Sequence, residues 1–284
     1  AVVERWKGFD STSAPDERLL DGIRELSRAE ALYWYGTTIA LALAKVSDVI
    51  LNRFLAAVVR SKGLTSALFL RGFPTKALEA EAELEAIADQ IRNSGELRAL
   101  VEATPAPRLL ETLEGSSIGG PVLDRLRRYF DRYGHLVYNL DFVEPTQAEA
   151  PLPVLLSLKA LVRRPSRDVL RLQAEMAEKR DRLVEATLRS LDPVRRRPFR
   201  TVLKWAQRHA PYREEALFYL GTAWPPLRRL ALELGRRLTE AGSLDKPDDV
   251  FFLESAELSE ASRARAEGRS RTDLAALARE RREL

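Results

Sequence analysis

Apolar residues recur at helical spacing along almost the whole chain. At Ser13-Ala-Pro15-Asp16-Glu17, an early proline and acidic residues in the first turn predict a helix start. The apolar positions that follow recur once per helical turn. Residues 29–60 are apolar on more than one face, which is typical of a helix in the centre of a bundle. We therefore expect this segment to be a buried core helix.

The same periodicity predicts the remaining elements. Further helices are expected at residues 64–70, from Pro74 to 92, and at 96–103, 107–114, 122–132, 154–162, 167–191, 198–208 and 212–241. The pair Pro225-Pro226 predicts a kink or break in the last of these. Residues 263–284 predict one exposed helix, and the arginines at 195–200 predict an inter-helix loop. The fold class is all-α, an irregular multi-helix domain and not a regular four-helix bundle.

Composition narrows the possible functions. Lys and Arg number 46 and Asp and Glu 42, with the two signs interspersed, which indicates a solvated helical surface and no nucleic-acid partner. The chain has no cysteine and two histidines, so thiolate and histidine-rich metal sites are excluded. The longest uncharged stretch, residues 31–44, is shorter than the roughly 20 residues of a membrane span. No membrane association is expected, and a cytoplasmic location is compatible with this composition.

Motifs for nucleotide binding and nucleophilic catalysis are missing from the sequence. It contains no GxxxxGK[ST], GxGxxG, GxSxG, HExxH or CxxC pattern. We therefore predict no cofactor and no metal in this chain. The chain begins with Ala1 and its single methionine is Met176, which indicates an excised domain of a longer polypeptide.

Two stretches, residues 129–153 and 211–258, resemble the central helical domain of the phosphoenolpyruvate-utilising, rifampin-phosphotransferase-like enzymes. The resemblance covers most of residues 60–284. We therefore describe 1–284 as a single helical substrate-binding domain, with N-terminal helices at 1–63 and a family-like region at 64–284. The resemblance implies an ATP-grasp domain and a phosphohistidine domain in the same polypeptide. It also implies ATP and Mg²⁺ as cofactors of the full-length enzyme.

The segment Tyr212-Arg213-Glu214-Glu215 carries the sharpest candidate site. In the family that the chain resembles, this helix bears an arginine and, four residues later, a lysine. Residues four apart share one helix face, so two cations would meet a phosphoryl group together. Arg213 matches the arginine, but Leu217 occupies the lysine position. Glu214 and Glu215 are both candidate general bases. The alternative is a surface network between Arg213 and these two carboxylates.

Other residues are predicted to line the acceptor site. His135 matches the Gly-His element that the family has after a helix, and Asp141 lies in an irregular proline-rich segment at 135–153 that resembles another family motif. Structural hydrogen bonding by His135 and loop capping by Asp141 are the alternatives. Tyr33 and Tyr35 lie on the most apolar helix and are assigned to the wall of an apolar pocket, with core packing as the alternative. Tyr212 and Leu217 complete the predicted set.

The resulting functional hypothesis is a domain that holds the acceptor in an ATP-dependent phosphotransferase. The acceptor would be a bulky apolar molecule with a hydroxyl group, rifamycin-like or a natural-product intermediate. Alone, the chain would be inactive. One alternative is a biosynthetic relative in which phosphorylation activates a hydroxyl for elimination or condensation. Another is a helical interaction module without catalytic function.

Overall fold

The computed structural model describes residues 2–60 and 63–283, and these residues form thirteen α-helices. In chain order the helices are α1 (Val2–Lys7), α2 (Asp16–Phe54), α3 (Ser66–Phe69), α4 (Lys76–Arg92), α5 (Gly95–Ala103), α6 (Leu109–Glu114), α7 (Gly120–Tyr133), α8 (Leu152–Arg163), α9 (Val169–Ser190), α10 (Pro193–Tyr219), α11 (Trp224–Glu240), α12 (Ser255–Ala266) and α13 (Asp273–Arg282). A π-helical turn at Leu55–Val59 extends α2, and short 3-10 segments lie at Ala106–Arg108 and Pro247–Phe252. Within the described residues, strand-type pairing is limited to one bridge between Val137 and Thr146. The predicted all-α class and irregular helix arrangement are confirmed.

The described chain forms two compact units. The first unit contains the residues up to Tyr33, then His135–Glu149, and the chain from Gly221 onward. The second unit contains Trp34–Gly134 and Ala150–Leu220. The division falls inside α2 and not at residue 63, where the sequence analysis places the end of the N-terminal helices.

Helix α11 is the central helix of the first unit because most of its circumference is buried. Its core partners come from α1, the start of α2, the 3-10 segment at Pro247–Phe252, α12 and α13. Gly235 permits one of these contacts, since a Cβ atom there would lie 2.2 Å from the carbonyl oxygen of Pro247. Burial of this continuous apolar surface is the main stabilising contribution to the unit.

The second unit is built around two apolar groups. Helix α4 buries Leu84, Ile87, Ala88 and Ile91 and contacts α7 and α8. A separate cluster joins the end of α2 with α3 and α10; its buried members are Leu51, Leu55, Phe69, Leu191, Phe199, Leu203 and Ala206. This second cluster fixes the first half of α10 against the protein and leaves the other face of that helix available.

Helix α10 differs from the prediction at both ends. It begins at Pro193, because the Asp192 side chain accepts a hydrogen bond from the Arg195 amide (3.0 Å) and caps the helix. It continues through Pro211 to Tyr219 and ends before Gly221, which has a left-handed φ of 78°. The prolines at 225 and 226 lie in the first turn of α11, where a missing amide hydrogen is tolerated. The predicted helix at 212–241 is therefore two helices.

Three other expectations are also wrong. The arginines at 195–200 lie in the first two turns of α10 and not in a loop. The C-terminal region forms two helices, α12 and α13, and α13 buries Leu274 and Ala278. Helix α4 begins at Lys76, after the Thr75 side chain caps it, and not at Pro74. In each case a capping side chain or a buried residue outweighs the simpler sequence signal.

Candidate functional site

The predicted residues on α10 lie at the surface in its last two turns. The Arg213 side chain is 63% exposed, and its Nε and Nη2 atoms donate to Glu214 Oε1 at 3.1 and 2.8 Å. Leu217 follows one turn later and is also exposed. Glu215 is half-buried. The structure thus brings Arg213 and Glu214 together as a surface ion pair, which is the alternative considered for this segment.

Tyr212 belongs to a short aromatic column on α10. Its ring meets that of His209 edge to face at 5.6 Å, and His209 meets Trp205 in the same way at 5.5 Å. His209 is held by a 2.8 Å hydrogen bond between its Nδ1 atom and the Trp205 carbonyl oxygen. The spacing of these three aromatic residues, four and then three positions apart, could have indicated the column from the sequence. It holds the Tyr212 ring against His209 near the end of the helix.

The apolar segment of α2 is not buried as expected. Five apolar side chains on one face are at least 40% exposed; they are Tyr35, Ile39, Leu43, Val46 and Ile50. We call this set the α2 stripe. Its spacing of four, four, three and four residues places all five side chains on a single helix face. Residues on the other side of the same helix segment are buried: Thr37, Ala44, Ser47 and Leu51. The prediction of a core helix is therefore correct for one face only.

The α2 stripe is unusual because it is uncharged as well as exposed. A contiguous apolar surface on a protein commonly marks a ligand-binding groove or an interaction site. Between Tyr35 and Ile50 the charged residues are Lys45 and Asp48, and helical spacing places both away from the stripe. Tyr35 is the most exposed member at 73%. The predicted role of Tyr35 as a pocket-lining residue remains a prediction, but its side chain is available to a ligand.

Two of the predicted residues in the first unit lie in the segment His135–Glu149, and the third lies on α2. His135 is half-buried at its start, and Tyr33 is half-buried at the boundary of the unit within α2. Asp141 is exposed, and its Oδ1 atom accepts a hydrogen bond from the Val143 amide at 3.0 Å. The Asp141 carboxylate therefore stabilises its own turn, as the loop-capping alternative states.

Arg228 holds this irregular segment in place, and sequence reasoning missed it. The side chain is buried; its Nε atom donates to both carboxylate oxygens of Glu149 at 3.0 Å, and its Nη1 atom donates to the carbonyl oxygens of Phe142 and Val143. The guanidinium also stacks on Phe251, 4.7 Å from the ring centroid. One arginine thus satisfies backbone groups of a segment that lacks regular structure. No local sequence pattern distinguishes Arg228 from its neighbour Arg229.

Other site types are absent from the described part of the chain. Within residues 2–60 and 63–283, no three His, Cys, Asp or Glu side chains converge in a way suited to a metal ion. No helix in these ranges is long and apolar enough to cross a membrane. For the predicted acceptor site, the features to consider are the α2 stripe and the exposed end of α10.

An all-α fold with an exposed apolar helix face and an arginine at a helix end is compatible with the resemblance noted above. The family model of the rifampicin phosphotransferase fourth domain matches residues 36–214. Because this match covers more than half of the chain, the chain belongs to that family. The match includes Ile39 to Ile50 of the α2 stripe and ends just after Arg213. It begins earlier than the resemblance noted in the sequence and stops before residues 242–258.

Two relatives are similar to about two thirds of this chain. The chain is 26% identical over 195 residues to the "Uncharacterized phosphotransferase YvkC" of Bacillus subtilis, covering 68% of this chain and 23% of that protein. It is also 26% identical over 204 residues to the "Chondramide synthase cmdD" of Chondromyces crocatus, covering 68% of this chain and 5% of that protein. The chain thus spans about a quarter of one relative and about a twentieth of the other.

Proposed function

We propose that this chain binds the acceptor substrate of a multidomain phosphotransferase. The observation that carries the proposal is the α2 stripe, an exposed and uncharged helix face within a rifampicin phosphotransferase-type domain. Ligand sites for bulky apolar molecules are lined mostly by hydrophobic and aromatic side chains. The acceptor is a large apolar molecule with a hydroxyl group, of the rifamycin type. The phosphoryl group comes from a phosphohistidine domain of a longer polypeptide, and ATP and Mg²⁺ bind to an ATP-grasp domain.

In this proposal Arg213 binds the phosphoryl group and does not contact the apolar part of the acceptor. Its guanidinium is exposed and bonded to Glu214, so an incoming anion competes with one surface carboxylate only. A surface ion pair of this kind contributes about 0–1 kcal/mol to stability. A phosphoryl group with up to two negative charges can therefore displace Glu214 from Arg213. Leu217 removes the second cation of the family pattern, so the site depends on Arg213 alone. Glu214, released from Arg213, and Glu215 are the candidate bases.

A second function is favoured by one comparison. One relative is named a synthase, and the matched segment is a small part of it. In a biosynthetic relative, phosphorylation would activate a hydroxyl of an intermediate for elimination or condensation. Intact-mass analysis of the longer enzyme with ATP and the acceptor separates the two cases. A stable product heavier by one phosphate supports antibiotic-type transfer, whereas loss of water or condensation supports the biosynthetic function.

The acceptor-binding proposal is tested by isothermal titration of the chain with rifampicin. The double variant Ile39→Asp/Val46→Asp places two charges on the α2 stripe and should weaken binding at least about tenfold, since each buried charge costs more than 1.4 kcal/mol. The matched control is Lys45→Asp, which puts the same residue on the same helix away from the stripe. Binding by the control but not by the double variant supports the proposal.

Two results would contradict acceptor binding. One is the absence of heat with rifampicin and with other large apolar polyketides. The other is equal binding by the double variant and the control. A defined oligomer in light scattering that the double variant disrupts, together with no ligand heat, would show a helical interaction module.

The role of Arg213 has its own test in the longer enzyme. Arg213→Ala should lower kcat by about 10²–10³, because removing one preorganised donor to a transition state has this effect. The affinity for the acceptor should stay within about threefold, since the apolar surface is unchanged. Leu217→Lys restores the family pair and should raise kcat of the unmodified enzyme. Equal kcat for Arg213→Ala and the unmodified enzyme would remove Arg213 from the site.

A further inference from the structure

Positive charge is concentrated in one helix of the second unit. Residues 193–212, the first five turns of α10, contain six Lys and Arg residues and no Asp or Glu. The chain has 46 cationic and 42 acidic residues. Outside residues 193–212, the other 264 positions therefore hold 40 cationic and 42 acidic residues. The whole excess of positive charge therefore lies in this part of α10. Interspersed charge, as the sequence analysis describes it, applies to the rest of the chain only.

Four of these cations form a line along α10. Arg197, Arg200, Lys204 and Arg208 are spaced three, four and four residues apart and are all exposed. This spacing places them on one helix face over about 17 Å. We call this set the α10 ridge. The apolar side chains on the opposite face, including Phe199, Leu203 and Ala206, anchor the helix to the core. The ridge is thus presented on a fixed helix.

The ridge is not neutralised by the protein. Among the described residues, none of its four side chains forms an ion pair or a side-chain hydrogen bond. The nearby carboxylates have other partners: Asp192 lies 3.3 Å from Arg195, and Glu185 lies 3.7 Å from Arg189. Repulsion between neighbouring cations on one helix face is unfavourable. A counter-charge from outside the chain would relieve it.

A groove marks the first turns of the ridge. It has a volume of about 260 Å³ and is lined by Glu185, Leu188, Arg189, Arg196 and Arg200. Arg196 is fixed there, because its Nε and Nη2 atoms each donate a 2.9 Å hydrogen bond, to the carbonyl oxygens of Leu188 and Leu191. These two bonds leave its Nη1 atom for another acceptor. The Nη1 atom of Arg196 and the Arg200 side chain therefore offer donors to an incoming carboxylate, while Glu185 in the groove lies 3.7 Å from Arg189.

We propose that the α10 ridge is a docking surface for an acidic helix of a protein partner. An acidic amphipathic helix presents carboxylates every three or four residues, which is the repeat of the ridge itself. Single-stranded nucleic acid is the weaker fit, because its binding relies on exposed aromatic residues as stacking platforms. The aromatic residues within the span of the ridge are Phe199, which is buried in the core, and Trp205, which is half-buried and packs against His209. The proposal does not depend on acceptor binding by α2.

The test uses a fluorescent peptide of about 20 residues that forms an amphipathic helix with glutamates at three- and four-residue spacing. Fluorescence anisotropy should show binding to the chain at about 0.05 M salt and much weaker binding at about 0.3 M. The double variant Arg200→Glu/Lys204→Glu should raise Kd on the order of tenfold or more, since four units of charge change on the ridge. The matched control is Arg128→Glu/Lys179→Glu. Both control residues are exposed helical cations of the second unit without an ion pair among the described residues.

The outcomes separate the possibilities. A large loss of affinity in the ridge variant, with the control within about twofold of the unmodified chain, supports the proposal. Equal loss in both variants would show a response to net charge and would overturn it. So would equal binding of a peptide with the same composition but glutamates on all faces. Tighter binding of an oligouridine of similar length than of the acidic peptide would assign the ridge to RNA. Circular dichroism of both variants verifies that α10 stays folded.

Discussion

Helices α10 and α11 are both rich in arginine, with six and four respectively, and the best-defined arginines of each helix have opposite roles. On α11, Arg228 and Arg237 are buried, and each binds at least one carboxylate and two backbone carbonyl oxygens. On α10, Arg197 and Arg200 are exposed and have no such partner among the described residues. The comparison teaches that arginine itself does not indicate a role. The role depends on whether carboxylates and unpaired carbonyl groups lie within reach.

Arg237 shows the structural use most completely. It bonds to Glu233 and Asp16 and also to the carbonyl oxygens of Ser11, Thr12 and Ala14. The last three belong to the irregular segment before α2, where Asp10 also accepts hydrogen bonds from the Thr12 amide and from the Thr12 and Ser13 hydroxyl groups. Buried charges are tolerated only when paired in this way. Such arginines stabilise the fold, whereas the unpaired cations of α10 are available for binding.

The largest expected effect follows from Arg237→Met. Loss of a buried ion-pair partner costs about 3–5 kcal/mol, and the lower end applies because Arg265 still binds Asp16 and Arg236 still binds Glu233. Urea denaturation should therefore show a free energy of unfolding reduced by about 3 kcal/mol. The matched control is Arg236→Met, at the adjacent, half-exposed position, which should change stability much less. Equal losses of unfolding free energy in the two variants would mean that burial does not determine how much each arginine contributes to stability.

Arg228→Met should give a smaller and more local effect. Its side chain holds Glu149 and the backbone of residues 142 and 143, so its loss should cost about 2 kcal/mol. Amides at 136–149 should exchange faster with deuterium, while those of α4 remain protected. The control Arg229→Met removes bonds to the carbonyl oxygens of Trp6 and Lys7 and should leave 136–149 unchanged. Unchanged exchange at 136–149 in Arg228→Met would contradict the assigned role.

The ionisation of Asp16 links the stability of the same network to pH. Burial raises the pKa of Asp16, but hydrogen bonds from Arg265 and Arg237 lower it more, so the pKa lies below the ordinary value of 3.8. A carboxylate whose pKa is lower in the folded state stabilises the protein at any pH above its pKa in the unfolded state. This contribution is lost as the pH falls through the pKa of the folded state. Asp16→Asn should therefore be less stable at neutral pH and should lose less stability between about pH 5 and about pH 2.

The matched control for this pH dependence is Asp21→Asn. The Asp21 carboxylate is half-exposed and lies 3.7 Å from both Arg18 and Arg24. Because exposed ion pairs contribute about 0–1 kcal/mol, Asp21→Asn should change the free energy of unfolding much less than Asp16→Asn does. Urea denaturation over the same pH range measures both variants. Parallel pH profiles for Asp16→Asn and the unmodified protein would show that the pair with Arg265 and Arg237 does not contribute.

The smallest effect is expected for Arg200→Glu/Lys204→Glu. Because these side chains are exposed and unpaired, the free energy of unfolding should change by less than about 0.5 kcal/mol. Thermal denaturation followed by circular dichroism measures this change. A loss of several kcal/mol would mean that the α10 ridge has a structural role like that of Arg237, and the contrast between the two helices would fail.

The helical class was predictable because local spacing determines it. Most helices start or end within a few residues of the predicted positions, and capping residues such as Ser94 lie close to the chain they stabilise. Helix α10 was one of the exceptions, because two start signals, Asp192-Pro193 and Pro198, compete within six residues. The structure uses the first, where a side-chain cap is available. Such a choice depends on one hydrogen bond and not on hydrophobic periodicity.

Burial and site geometry were less predictable because they depend on distant residues. An apolar segment such as α2 is buried only where other elements cover it, and one of its faces is left exposed. The arginines at 195–200 and Arg237 look alike in sequence, but Asp16, which pairs with Arg237, is 221 positions away. The family resemblance located Arg213 correctly on a helix. Its ion pair with Glu214 was the alternative that the sequence left open, because residue types alone do not decide between an ion pair and a phosphoryl site.

The most direct test of acceptor binding uses the absence of cysteine from this chain. Single variants Ile39→Cys, on the α2 stripe, and Lys45→Cys, away from it, each provide one thiol for labelling with a maleimide. Both should react quickly in the free protein because both positions are exposed. With rifampicin at about ten times its Kd, labelling of Ile39→Cys should slow by about tenfold, the ratio of total to unoccupied protein, and Lys45→Cys should be unaffected. Equal labelling rates with and without rifampicin at Ile39→Cys, or equal slowing at both positions, would contradict acceptor binding by the α2 stripe.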